Sequence, residues 1–168
     1  FTPAAVRLGV AALQQGRAII TDTNMVKAGV SKPTLRSLHS DLFCYMAEEK
    51  IALAAKQRGT TRAVAAMEQA AMEHPDAVFA IGNAPTALLH LVQLIESGLR
   101  PALIVGVPVG FVNVVESKEQ LWAACCRYEV PAIVSMGRKG GSTVAAAICN
   151  ALLYTAAQTL DPAARGWQ

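Results

Sequence analysis

Aromatic side chains make up only 5% of this 168-residue chain and charged residues only 16%. The low charge, with 53% hydrophobic residues and a mean hydropathy of +0.34, excludes intrinsic disorder. The shortage of aromatics means a core of small side chains. Alanine alone supplies 31 residues, which lets helices and strands approach closely and leaves surface suited to an oligomer contact. Metal-ligand spacing is also missing. Cys44, Cys125, Cys126 and Cys149 are unpaired in sequence and the three histidines complete no ligand set, so reduced cytosolic thiols are the simplest reading. No apolar run spans a bilayer: 102–115 is broken by Pro108 and Gly110, and 142–160 is alanine-rich with Asn150 inside it.

There is no basic stripe either. Fifteen Lys and Arg against twelve Asp and Glu leave +3, scattered along the chain, which argues against nucleic-acid binding and suits a small polyanionic ligand. No basic segment followed by an apolar run opens the chain, so a signal peptide is not expected. Because the first residue is Phe1, the chain is expected to begin inside a longer protein. Its length fits a single domain.

Four short apolar runs at 18–21, 77–81, 102–106 and 132–136 read as strands buried on both faces. Helices are expected over 3–15, 60–73, 84–96, 118–127 and 142–159. The alternation predicts an α/β fold, a three-layer αβα sandwich with a mainly parallel sheet. Asn83 is expected to cap one helix, with Pro85 in its first turn and Gly98 past its end, and Ser117 with Gln120 has capping-box spacing. The stretch 41–46 reads as a further strand, and 30–38 as a polar loop.

Each predicted strand is followed by a polar or glycine-rich segment: 21–24, 82–86, 106–111 and 137–142. In a parallel sheet all four line the carboxyl edge, where ligands bind and helix N-termini point their free N–H groups. Gly137-Arg-Lys-Gly-Gly-Ser142 reads either as an anion cradle or as a basic helix-start loop facing water. It is neither a Walker A loop nor a GxGxxG fingerprint. Asp22 and Asn24 are candidate ligand groups. Asn83 and Thr86 are candidates too, although capping explains Asn83 equally well. Glu116-Ser-Lys118 brings an acid, a hydroxyl and a base together, with Ser117 already explained as a cap. His39 is the one histidine suited to a site, while His90 reads as packed and His74 as a helix-end residue. Cys44 has no nearby base and reads as buried.

Taken together, FTPAAV, TDTNMVKAGVS, RGTTRAVAAME, AIGNAPTAL, VGVPVGFVNVVESKE and GRKGGSTVAAAICNALL resemble the precorrin-8X methylmutase family of cobalamin biosynthesis, including its cobalt-precorrin-8 branch. The likeness runs from Phe1 to about Leu153 and leaves 154–168 as an expected extension. It implies a cytoplasmic homodimeric isomerase that moves a methyl group from carbon 11 to carbon 12 of the macrocycle. The product is hydrogenobyrinic or cobyrinic acid, and neither a metal nor another cofactor is implied. On this resemblance Asp22, Asn24 and Met25 line the tetrapyrrole and Ser31 hydrogen-bonds its edge. Arg138, Lys139 and the Gly140 and Gly141 amides receive carboxylates, with Asn83, Thr86 and Ser142 completing the binding set. The family's catalytic histidine lies upstream of the FTP-like motif, and no residue here matches it. Two alternatives stay open: a corrinoid binder without catalysis, and an unrelated Rossmann-like enzyme holding a phosphorylated ligand at 137–142.

Overall fold

All four apolar runs become strands, because continuous runs without alternation can be buried on both faces only inside a covered sheet. The computed structural model describes residues 1–165. Its strands are β1 (Ile19–Thr21), β2 (Leu42–Phe43), β3 (Val78–Ile81), β4 (Leu103–Gly106) and β5 (Ala132–Val134). They pair in parallel in the order β2-β1-β3-β4-β5. Successive side chains leave opposite faces of a strand. Ile19, Val78, Ala80, Leu103 and Val105 therefore enter one apolar cluster, and Ile20, Phe79, Ile81 and Ile104 enter the other.

Helices cover both faces, as the three-layer expectation required. They are α1 (Ala5–Gln14), α2 (Asn24–Gly29), α3 (Lys32–Ser37), α4 (Glu49–Gln57), α5 (Arg62–Glu73), α6 (Pro85–Glu96), α7 (Val114–Arg127) and α8 (Ser142–Ala156). The first cluster draws on α1, α2, α3 and α8, and the second on α4 to α7.

Four local expectations are corrected. The supposed polar loop 30–38 contains α3, whose Pro33 sits in the first turn, where a missing N–H costs nothing. Helix α7 starts at Val114, four residues before the expected start, behind Asn113 in the left-handed region at φ 56°. Ser117 therefore lies inside the helix, fully buried, donating to the Val114 carbonyl at 2.9 Å, and caps nothing. The expected extension 154–168 is partly α8, which runs to Ala156. Beyond it Pro162–Arg165 forms a 3-10 turn with the Arg165 guanidinium 4.3 Å from the Tyr154 ring centre, while 166–168 lie outside the described residues. Helix α4 has no counterpart among the sequence expectations.

Candidate functional site

The strand order places a switch point between β1 and β3, since the chain leaves β1 for β2 on one side and reaches β3 on the other. Every strand is parallel, so the segments after β1, β3, β4 and β5 meet on one carboxyl rim. Contacts tie them together. The Thr23 and Ser142 hydroxyls are 3.0 Å apart, and the Gly141 N–H donates to the Val107 carbonyl at 2.8 Å. A Cβ on Gly82 would stand 2.8 Å from the Ser142 Cα.

Asp22 is corrected from ring-lining residue to scaffold. Its side chain is buried, Oδ1 accepts the Gly82 N–H at 2.9 Å, and Oδ2 accepts the Asn83 and Ala84 N–H groups at 2.8 and 2.7 Å. Burial pushes its carboxyl above the ordinary carboxylate value while the three N–H donors pull it back. The carboxylate thus occupies the place at the start of α6 where a bound anion would sit. Asn83 does not act as the cap; its own N–H is held by Asp22, and it is exposed on the rim. Thr86, in the first turn of α6, is half-buried.

Asn24 and Met25 open α2 and are exposed, behind Thr23, whose hydroxyl accepts the Val26 N–H at 3.1 Å. Further exposed apolar side chains follow other strands at the same carboxyl end as Met25, and sequence reasoning missed them. Val109, Phe111 and Val112 after β4 and Met136 after β5 are all exposed. The signal was present: 107–112 is an apolar run interrupted by Pro108 and Gly110 immediately after a strand. Large exposed apolar side chains around a rim mark a contact surface.

The glycine-rich loop behaves as glycine requires. At Gly140 (φ 158°) a Cβ would lie 2.1 Å from the Val107 carbonyl oxygen, so only glycine permits this approach. Arg138 and Lys139 are exposed, and among the described residues neither forms an ion pair. The Arg138 guanidinium lies 5.8 Å from the Phe111 ring centre. The Gly141 amide is corrected: it is spent on Val107 and offers nothing to a carboxylate. Beneath the loop is Lys118, with no exposed surface, donating to the Gly137 and Lys139 carbonyls at 2.8 Å each.

Ser31 is not brought to this rim. Its N–H donates to Asn150 Oδ1 at 2.8 Å and its hydroxyl pairs with Thr34 at 2.9 Å. Asn150 lies eight residues along α8 from Ser142, about 12 Å at 1.5 Å per residue. Ser31 instead helps line a cavity of about 420 Å³ with Thr34, Ser37 and Tyr154. A larger cavity, about 640 Å³, runs along α1 from Phe1 to Gln14 and also lies away from the rim. His39 belongs to the amino edge, where its carbonyl faces Gly16 ahead of β1. His74 ends α5 and stacks on Phe43 at 4.6 Å, and His90 faces Gln93 and Glu68.

The precorrin-8X methylmutase profile matches residues 1–155. The chain belongs to this family. It is 41% identical over 153 residues to the cobalt-precorrin-8 methylmutase of Priestia megaterium, covering 90% of this chain and 66% of that protein. It is 43% identical over 153 residues to the precorrin-8X methylmutase of Pseudomonas aeruginosa, covering 90% and 72%. The chain therefore spans roughly two thirds of the length of these curated relatives. The crystal structure of precorrin-8x methyl mutase from Thermus thermophilus superposes with a TM-score of 0.83 at 41% identity, covering 94% of this chain and 76% of that one. Methylmutase kinship and the parallel α/β sandwich thus agree. Among the described residues no group of three His, Cys, Asp or Glu is placed to hold a metal ion. Nor is any helix long and apolar enough to cross a membrane.

Proposed function

We propose that this chain carries the methylmutase chemistry of its family on precorrin-8X or its cobalt form. The bond from the methyl group to carbon 11 breaks and one to carbon 12 forms within the same molecule, giving hydrogenobyrinic or cobyrinic acid. The observation that carries this reading is the convergence of the Arg138-Lys139 loop and the apolar fringe of Met25, Val109, Phe111 and Met136 on one rim. A corrin precursor is a broad apolar ring edged with acetate and propionate carboxylates. The fringe suits its faces and the cations suit its edge.

An intramolecular shift needs no external nucleophile, so the protein's task is to hold the ring in a reactive shape and stabilise the electron shift. Charge-assisted contacts from Arg138 and Lys139 supply about 1.5–3 kcal/mol each when well formed. With Asn24, Asn83 and Thr86 on the same rim, the edge of the macrocycle meets cations and neutral polar groups together. A cytoplasmic homodimer whose subunits share the site completes the proposal.

The test is incubation of the full-length protein with precorrin-8X while the absorption spectrum is followed. Rearrangement changes the conjugated chromophore, and the expected result is conversion to hydrogenobyrinic acid. A spectrum that never changes, with no ligand retained, rejects the reading. A second reading, a corrinoid binder without turnover, draws support from the placement of His39, His74 and His90 away from the rim. Stoichiometric retention of precorrin-8X without conversion would select it.

A further inference from the structure

Lys118 is a fully buried ammonium with no carboxylate within ion-pair distance among the described residues. Its hydrogen bonds go to two alternate carbonyls of one loop, Gly137 and Lys139. A peptide unit is planar and trans, so its N–H points opposite to its C=O. Drawing these two carbonyls inward therefore turns the Arg138 and Gly140 N–H groups away from the buried amine. Neither N–H meets an acceptor among the described residues, whereas Gly141 N–H between the loop and α8 does. The arrangement is held from two further sides. The Ser135 hydroxyl donates to the Lys139 carbonyl at 3.2 Å, and Gly140 is pressed against the Val107 carbonyl. Two outward N–H groups on alternate residues, beside a guanidinium, give an anion two donors and a positive charge.

We infer that Lys118 is a positioning residue of the rim: it orients the 137–141 loop so that the Arg138 and Gly140 N–H groups receive a carboxylate of the macrocycle. This rests on the tetrapyrrole reading above. It explains why a charged amine is buried where an apolar side chain would fill the same space. The amine's role is to set the direction of two peptide planes. Lys118 itself does not touch the ligand.

The experiment compares wild type with Lys118→Met in the full-length protein, measuring affinity for hydrogenobyrinic acid and for its neutral, fully amidated derivative. The loss expected for the acid is about tenfold or more, the value of a hydrogen bond to a charged group. For the neutral derivative it is about threefold, because neutral pairs are roughly half as strong. Turnover of bound precorrin-8X should fall far less than its KM rises. A purely structural lysine would lower both affinities alike, and that result, or no change in either, overturns the inference. If Lys118→Met does not fold, wild-type NMR decides. The Arg138 and Gly140 amide protons should move downfield on saturation with hydrogenobyrinic acid, and unmoved resonances reject the assignment. Wild type that binds neither ligand rejects the tetrapyrrole reading itself, an outcome distinct from binding that is indifferent to Lys118.

Discussion

Asp22 Oδ2 accepts the Ala84 N–H at 2.7 Å across the boundary between β1 and β3. Two residues 62 positions apart are thereby locked at the point where the sheet reverses its order. In many doubly wound folds a ligand anion fills this place at a helix N-terminus. Here the protein's own carboxylate fills it, which leaves the loop before α8 as the place where we propose that the anion is received. This occupancy also weighs against a phosphorylated ligand at the β1/β3 crevice.

Asp22→Asn should therefore destabilise the fold without requiring any ligand to be present. An amide keeps one oxygen but turns its NH2 toward an N–H donor, leaving at least one buried donor unpaired at a cost of about 1–3 kcal/mol. Chemical denaturation should show a lower midpoint with an unchanged slope. An unchanged midpoint would mean that the three N–H bonds do not hold the rim together.

Glycine substitutions in the basic loop should separate sharply. Gly137 has φ 75° and no atom within 4 Å of a built Cβ, so Gly137→Ala costs only its left-handed backbone, roughly 1–2 kcal/mol. Gly140→Ala places a methyl 2.1 Å from the Val107 carbonyl, which must move. Strain and overpacking together make that loss about 3 kcal/mol or more. Thermal melting of the two variants side by side reads the difference, and equal melting points would contradict the close approach.

The strands and the rim were legible in sequence because their signals are local. An apolar run such as 77–81, bounded by polar residues, has few ways to be buried, and parallel pairing then forces the following loops to one edge. Helix α3 was not legible: six residues with one buried leucine carry little periodicity, and the helix exists because Leu35 and Val30 pack on α8. Lys118 and Asp22 show the same limit at the site. Both have the composition of ligand-binding groups, and only tertiary burial reveals that each is turned inward to hold backbone. Ser31 is separated from the loop by about half the length of α8, a distance no motif encodes.

Arg138→Ala should weaken binding of hydrogenobyrinic acid more at low than at high ionic strength. The guanidinium is exposed and, among the described residues, stands over Phe111 without an ion-pair partner. A carboxylate partner would be screened over about 10 Å at 0.1 M salt. Titrations at two salt concentrations give the contrast, and equal losses at both would remove Arg138 from carboxylate recognition.

The four thiols should react very unequally in the native protein. Only Cys126 is exposed. Burial pushes the Cys125 and Cys149 thiols up to about 12, and Cys44 is raised by burial as well. Because the thiolate is the nucleophile, a raised value keeps these groups protonated and slow, and a group at about 12 is still only about 0.1% thiolate at pH 9. Alkylation with iodoacetamide followed by mass spectrometry should show one fast site, Cys126, at both pH values. The other three should become reactive only when denaturant opens the core. Rapid native labelling of Cys149 would mean that α8 does not pack against the sheet as described.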